Sequence, residues 1–169
     1  MQFKVVPPAP DSLEALEVAR RAVPLVPQSE TDCCARVMDR AGVPARDEAK
    51  EWLTFMRALG LVTEAERGYH RTRRSAETDR LSAAFRERVY GAEDLLDALD
   101  PDEPATADEV FERFADSVPA WERQRHADWR QVWRERVRRL LDWAVLFGLA
   151  GREGEGDGER YVRGTSAGE

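Results

Sequence analysis

One short pattern occurs twice in this chain, and it restricts the possible folds more than any other feature. With an offset of 88 residues, the segments 53–61 and 141–149 carry the same residue at three positions: Leu53 and Leu141, Gly60 and Gly148, Leu61 and Leu149. The segments 69–71 and 161–163 are also similar, and the loop before the second is four residues longer. Because a glycine just after the last helical position typically ends a helix, the repeat predicts two units, each with a helix that leads into a β-hairpin.

The chain before the first repeat supplies two further helices. Apolar residues at helical spacing predict helices at about 11–23, 31–41 and 44–59. Ser29 is a suitable N-cap for the second helix, and Gly42 and Gly60 are suitable stops. The segments 61–63 and 68–72 then read as the two strands of a hairpin. Three helices followed by a hairpin is the order of a winged helix, a variant of the helix-turn-helix.

The second unit shows the same order with a longer third helix. Apolar residues between Leu81 and Leu99 predict its first helix, with a bend at Gly91, and Thr106 with Glu109 forms the signature of a capping box. The segment 121–147 can form one helix of about 40 Å, at about 1.5 Å per residue. We therefore predict a mainly α fold with small β-hairpins (α+β), built as tandem winged-helix domains at 1–74 and 75–169, with an extended third helix in the second.

Composition argues for a cytoplasmic globular protein without a membrane partner. Hydrophobic residues make up 42% of the chain, including five Trp, which is enough for a real core. No apolar run approaches the roughly 20 residues of a membrane span, and the start of the chain lacks the apolar region of a signal peptide. Cys33 and Cys34 are adjacent, and we expect one half-buried and one buried thiol.

Nothing in the sequence indicates catalysis, a metal or a cofactor. Two Cys and two His without paired ligand spacing make a zinc site improbable. There is no nucleophile elbow, phosphate loop or dinucleotide fingerprint. His70 and His126 have no nucleophile at a recognisable spacing. We predict a protein that is not an enzyme, with no catalytic residue, no metal and no cofactor.

The charged residues have an unusual composition. The net charge is −7, yet only two of the 26 cationic residues, Lys4 and Lys50, are lysines. Acid excess with almost no lysine is typical of salt-accumulating haloarchaea, and a bacterium of high GC content is the alternative. A net-acidic protein binds polyanions poorly in general, so contact with a nucleic acid requires a local basic patch.

Such patches are predicted on both third helices. The 88-residue offset places Arg134 beside Arg46 and Arg138 beside Lys50, so both helices present two cations on the same side of their first turns. Arg123, Arg130, Arg134 and Arg138 fall within about 80° of one another at about 100° per residue. A winged helix lays its third helix in the major groove, and cations of the hairpin reach phosphates. The predicted DNA-binding residues are Arg46, Lys50, Arg71, Arg73, Arg74, Arg130, Arg134 and Arg138.

Several features favour other interpretations of these arginines. Asp47, Glu48 and Glu51 cancel the positive charge of the first recognition helix, and the second hairpin, 153–159, is acidic. Concentrated salt weakens phosphate contacts. The acidic stretch 93–116 could dock on the arginines, either within the protein or in a dimer partner. The tryptophans could stack on bases, although their spacing on one helical face favours packing in a core.

Three segments resemble a known family. The runs 52–61, 68–73 and 141–149 are similar to those of haloarchaeal helix-turn-helix-like proteins, and the likeness covers most of the chain. That resemblance implies the fold and assigns no catalytic or ligand residues. By architecture and charge alone, the chain is also similar to tandem winged-helix scaffolds such as those of the segregation-and-condensation family, which bind protein.

Two functions follow as hypotheses. The first is a DNA-binding or transcription-associated protein that contacts double-stranded DNA through its winged helices. The second is a non-enzymatic interaction scaffold, homodimeric or bound to another protein, in which the same units bury apolar patches.

Overall fold

A computed structural model describes residues 2–73 and 77–164 of the chain. The contacts divide the chain into two compact units, Met1–Tyr90 and Gly91–Glu169. Each unit has its own helices and its own two-stranded antiparallel sheet. The predicted fold class, mainly α with two small hairpins, is confirmed.

The first unit begins with three helices whose apolar stripes form one core. They are α1 (Leu13–Ala22), α2 (Glu30–Ala41) and α3 (Arg46–Ala58). Helix α2 begins as predicted, because the Ser29 side chain accepts a hydrogen bond from the Asp32 amide at 3.1 Å. The buried residues of these helices include Leu16, Val37, Trp52, Leu53, Phe55 and Met56.

The hairpin of the first unit follows directly from the end of α3. Gly60 adopts a left-handed φ of 79°, and the amide of Leu61 donates to the carbonyl oxygen of Met56 at 2.9 Å. Strands β1 (Val62–Ala65) and β2 (Gly68–Arg71) then pair antiparallel. Gln28, just before α2, exchanges two backbone hydrogen bonds with Tyr69, so a third short strand completes the wing sheet.

Helix α4 (Thr78–Arg88) completes the first unit. Its buried Phe85 packs edge-on against Phe55 of α3, with 6.5 Å between the ring centroids. Phe3 accepts a backbone hydrogen bond from Tyr90 and donates one to Arg88, which ties the start of the chain to the end of α4. The sequence predicted a boundary after Arg74 and assigned this helix to the second unit, whereas the structure divides the chain after Tyr90, because α4 packs on α3.

The second unit repeats the winged-helix order with one extra helix. Its helices are α5 (Ala92–Asp97), α6 (Ala107–Phe114), α7 (Ala120–Arg125) and α8 (Trp129–Leu146), and its strands are β3 (Ala150–Glu153) and β4 (Arg160–Arg163). The capping box at the start of α6 is present, with both Thr106–Glu109 hydrogen bonds formed. The predicted bend at Gly91 is a break, since α4 and α5 are separate helices there.

The end of α8 and its wing reproduce the first unit. Gly148 has a φ of 76°, and the amide of Leu149 donates to Ala144 at 2.9 Å. Ala105, just before α6, exchanges two backbone hydrogen bonds with Tyr161, as Gln28 does with Tyr69. The predicted repeat is therefore a repeat of structure, including a third strand in each wing that the sequence did not reveal.

Two expectations were wrong, one about the long helix and one about the burial of the cysteines. The segment 121–147 is not one helix, because His126 takes an extended conformation and a new helix begins at Trp129. Both cysteines are fully buried, whereas one was expected to be half-buried. Burial raises the pKa of both thiols, and the Cys33 sulfur lies 3.7 Å from the backbone oxygens of Gln28 and Tyr69. Cys33 thus packs against the backbone of the first wing.

Candidate nucleic-acid interface

Helix α3 presents two of the predicted DNA-binding residues at its start. The buried stripe on its other side leaves Arg46 and Lys50 exposed. Arg46 donates a hydrogen bond to the hydroxyl of Thr31 at 3.0 Å, so its charge is not neutralised there. The Lys50 ammonium lies 3.7 Å from a Glu30 oxygen, and both side chains are well exposed. Such a surface pair is worth little energetically, so Lys50 can exchange it for another anion.

Acidic residues accompany these cations on α3. Asp47, Glu48 and Glu51 are on the same helix, Asp47 exposed and the two glutamates half-buried. The helix therefore carries no net positive charge, as the sequence indicated. Because the helix has no net positive charge, a contact with DNA through α3 would depend on where Arg46 and Lys50 lie on it.

The first wing adds cations next to α3. Arg67, at the hairpin turn, and Arg73, just after β2, are exposed, and neither has an acidic partner within residues 2–73 and 77–164. Arg71 is half-buried in β2, and its buried Nε has no hydrogen-bond partner in that part of the chain. Arg74 lies outside the described residues. Near the turn of the hairpin, Arg57 of α3 pairs with Glu64 at 3.4 Å and covers the Tyr69 ring.

The arginines of α8 are arranged differently. Arg130 forms an ion pair with Glu112 of α6, and Arg134 lies 3.1 Å from Asp108 and 3.7 Å from Glu112. Both guanidinium groups also cover the ring of Phe111. The acidic stretch thus docks on the arginines within the unit, one of the two alternatives that the sequence left open.

The proposed four-arginine ridge is interrupted. Arg123 lies on α7, where it donates to the carbonyl oxygen of Ala115 and covers the ring of Trp129 at 4.9 Å. Because the helix breaks after α7, Arg123 does not continue the row formed by the arginines of α8. Arg138 is exposed beside an open groove of about 560 Å³ whose lining includes Asp108 and Glu159.

The cations of the second wing are paired with acids. Arg152 contacts Asp142 at 2.5 Å and Glu159 at 3.5 Å. Two further arginines pair with acids of the preceding helices: Arg160 with Glu109 at 3.5 Å and Arg163 with Asp97 at 3.8 Å. The three arginines of the second wing therefore all have acidic partners.

One contact occurs at equivalent positions in both units. Arg46 contacts Thr31, two residues after the N-cap of α2, and Arg134 contacts Asp108, two residues after the N-cap of α6. The partner is a neutral hydroxyl in the first unit and a carboxylate in the second. The same helix position therefore has a neutral partner in one unit and a carboxylate partner, in an exposed ion pair, in the other.

The two units also differ in net charge, and the first unit is the more positive one. Residues 1–90 contain fifteen basic and fourteen acidic residues, a formal charge of +1, whereas residues 91–169 contain eleven and nineteen, a formal charge of −8. The acid excess of the chain is therefore carried by the second unit. Long-range electrostatics favours an approach of DNA to the first unit over the second.

The architecture and the repeat are matched by a known family. A model of the halobacterial double winged helix domain covers residues 1–163. The chain belongs to this family. No curated protein and no solved structure matches this double winged-helix protein significantly.

Two further groups of candidate residues in the double winged-helix protein are the metal-ligating side chains and the two histidines. Within the described residues, no group of three or more His, Cys, Asp or Glu side chains could hold a metal ion. None of the described helices is both long and apolar enough to cross a membrane. His126 lies 3.9 Å from the buried Glu122, and Nδ1 of His70 lies 3.2 Å from the backbone oxygen of Arg71.

Sequence reasoning missed one exposed feature of the second unit. Val132 was expected on the core side of a long helix, yet it is 36% exposed on α8, and Trp121, expected at the start of that helix, is 49% exposed on α7. The start of α7 at Ala120 follows Pro119, and Asp128 is a suitable N-cap residue for α8, so both helix starts had a sequence signal.

Proposed function

We propose that this protein binds double-stranded DNA and that its first unit makes the contact. Winged-helix families have DNA-binding and regulatory roles in general, and the chain belongs to one. Helix α3 would enter the major groove with Arg46 and Lys50 near the bases or the flanking phosphates. The first wing would place Arg67, Arg71, Arg73 and Arg74 along the phosphate backbone.

The contact between Arg46 and Thr31 is the observation that carries this proposal. The Arg46 guanidinium has a neutral hydroxyl as its partner, so a phosphate need not displace a carboxylate there, whereas the equivalent Arg134 lies against the Asp108 carboxylate. The formal charges of the two units, +1 and −8, act in the same direction. We therefore propose no DNA contact for Arg130 and Arg134, which have carboxylate partners, or for Arg138, which lies beside a groove lined by Asp108 and Glu159, although the sequence grouped them with the residues of the first unit.

The role that we propose is non-catalytic. His70 and His126 are next to a backbone carbonyl and a carboxylate, and no metal cluster exists among the described residues. The protein would act by occupying DNA and influencing what else binds there.

The double variant Arg46→Gln/Lys50→Gln tests the proposal. Removal of both cations should weaken binding to a labelled duplex by about 10- to 100-fold and reduce the slope of log affinity against log salt by about 2. Fluorescence anisotropy over a series of KCl concentrations measures both quantities. Circular dichroism at each concentration checks that the variant is folded.

The matched control removes the same charge from the second unit. Arg134→Gln/Arg138→Gln changes the equivalent helix positions, and its exposed ion pairs contribute at most about 1 kcal/mol to folding. This variant should bind DNA with nearly the affinity of the wild type. Equal losses in the two variants would overturn the assignment to the first unit, and a wild type without DNA affinity would overturn the proposal itself.

A protein-interaction scaffold is the second candidate. It is favoured by the charge of −8 on the second unit and by the half-exposed Trp121. The same titration separates the two candidates, because a scaffold would form a stable protein complex and show no affinity for the duplex.

A further inference from the structure

Helix α7 has no counterpart in the first unit. There, α2 and α3 are joined by the four residues 42–45, whereas α6 and α8 are joined by a longer segment that contains α7. The winged-helix order is complete without this helix. It buries Glu122 but leaves the Trp121 side chain 49% exposed. A large aromatic residue on an inserted element is typical of an interface anchor.

An arginine lies on the same side of α7 as this tryptophan. Arg125 follows Trp121 by four residues, so the two side chains are neighbours on the helix surface. Arg125 is exposed and has no acidic partner among residues 2–73 and 77–164. The surface formed by Trp121 and Arg125, which we call the anchor, is therefore an aromatic ring beside an unneutralised cation.

The second unit also contains an acidic groove with complementary chemistry. It has a volume of about 490 Å³ and is formed by α5, the turn that follows it, and the end of α6. Its lining has three acids, Asp94, Asp97 and Asp100, and one cation, Arg113, which donates a hydrogen bond to the backbone oxygen of Ala98. Ala98, the buried Leu99 and Ser117 complete the lining. Asp97 is 3.8 Å from Arg163, whereas Asp94 is exposed and has no ion pair in the described part of the chain.

We propose that a second copy of this chain docks on the second unit, with the anchor of each copy in the acidic groove of the other. The indole ring would lie against Ala98 and donate its N–H to a groove carboxylate, and Arg125 would pair with Asp94. Because each copy carries both surfaces, the two contacts are equivalent and close into a dimer with twofold symmetry.

Salt supports this assembly. Two units of formal charge −8 repel each other in dilute buffer, but the Debye length falls to about 3 Å at about 1 M salt. Burial of the indole ring needs no charge, so the tryptophan supplies affinity while the close Arg125–Asp94 contact sets the register. The dimer is independent of DNA binding, and its test contains no DNA.

The mass of the full chain in concentrated KCl tests the proposal. Size-exclusion chromatography with light scattering should give about twice the chain mass of 19.2 kDa. Trp121→Ala and Arg125→Asp should each raise the dimer dissociation constant by about tenfold or more, since an anchor of this kind is worth at least about 1.4 kcal/mol. Arg138→Asp, an exposed arginine of the same unit outside the two surfaces, is the control and should leave the dimer unchanged.

A charge exchange makes the test specific for the pairing. Asp94→Arg and Arg125→Asp each place like charges opposite one another, and each variant alone should dimerise at least about tenfold more weakly than the wild type. Mixed in equal amounts, they should form a heterodimer, because one contact is then wild-type and the other is the exchanged pair. A wild type that stays monomeric at every concentration would overturn the proposal. A dimer that survives Trp121→Ala, or variants that do not recover on mixing, would also overturn it.

Discussion

Two tyrosines at equivalent positions show how single residues hold the wings. Tyr69 and Tyr161 each pair through the backbone with the residue before the second helix of their unit. Tyr161 is fully buried, and its hydroxyl lies 2.5 Å from Glu159 and 3.0 Å from Asp142. Burial and these two carboxylates raise its pKa above the ordinary value of about 10. The neutral phenol thus fastens β4 to α8.

Tyr161→Phe should destabilise the second unit. The variant removes a hydrogen bond to charged groups, which contributes about 1.5–3 kcal/mol, and we expect the lower end because both carboxylates are partly exposed. Urea denaturation at constant KCl measures the change. Tyr69→Phe is the matched control at the equivalent position, and its more exposed ring should make its effect smaller.

The pH dependence of stability has a definite sign at this residue. A folded-state pKa above the unfolded value means that the folded protein holds the proton more tightly. The stabilisation of the folded state by the protonated Tyr161 is fully present below about pH 10. It is lost as the pH rises from there towards the folded-state pKa. Wild type should therefore lose more stability than Tyr161→Phe between about pH 10 and pH 12. Parallel losses in the two proteins would contradict this origin.

At the scale of elements, the turn of the first hairpin depends on one glycine. Gly68 has a φ of 129°, and a Cβ atom there would lie 2.0 Å from the backbone oxygen of Gln28. That oxygen is the acceptor for the Tyr69 amide in the third strand of the wing sheet. A side chain at this position therefore conflicts with the sheet itself and not with a movable neighbour.

Gly68→Ala should cost at least about 3 kcal/mol, because both the backbone conformation and the third strand are disturbed. Gly42→Ala is the control, since Gly42 has a φ of 69° and nothing within 4 Å of the added atom. Gly42→Ala should lower the free energy of unfolding by only about 1–2 kcal/mol, because alanine must adopt the left-handed conformation there. Thermal unfolding of both variants compares the two costs, and similar values would show that the third strand contributes little.

Helix boundaries show where local signals were sufficient. The N-cap of α2, the capping box of α6 and the glycines that end α3 and α8 were all predicted, because each depends on residues within one turn. The break between α7 and α8 was missed. The helical spacing of apolar residues continues across His126 and Asp128. When one helix ends and the next begins with its apolar residues at the same spacing, periodicity alone does not reveal the break.

At the scale of the whole molecule, the boundary after Tyr90 predicts which fragments fold. Fragment 1–90 keeps α4, whose buried Leu81 and Phe85 belong to the core of the first unit. Fragment 1–74 loses both side chains and exposes Phe55, so it should be unfolded or lack a cooperative transition. Circular dichroism and thermal melts in concentrated KCl distinguish the fragments. Cooperative folding of 1–74 would instead support the boundary predicted from sequence.

The sequence by itself determined the two-unit plan of this double winged-helix protein. An apolar stripe ending in glycine and followed by alternating strands is a local property, and its recurrence after 88 residues gave the order of elements in both units. The equivalence of Arg46 with Arg134 also came from the alignment of the repeat. Such features are encoded within a few turns of chain.

Only the tertiary structure decided which of these equivalent cations have an acidic partner. Arg134 is bound by Asp108 because α6 packs on α8, and Arg46 meets Thr31 because α2 packs on α3 in the same way. The partners are distant in sequence, and a list of charges does not show which of many nearby acids an arginine will meet. Coulombic pairing depends on distances of a few ångströms, which are set by the packing of whole helices.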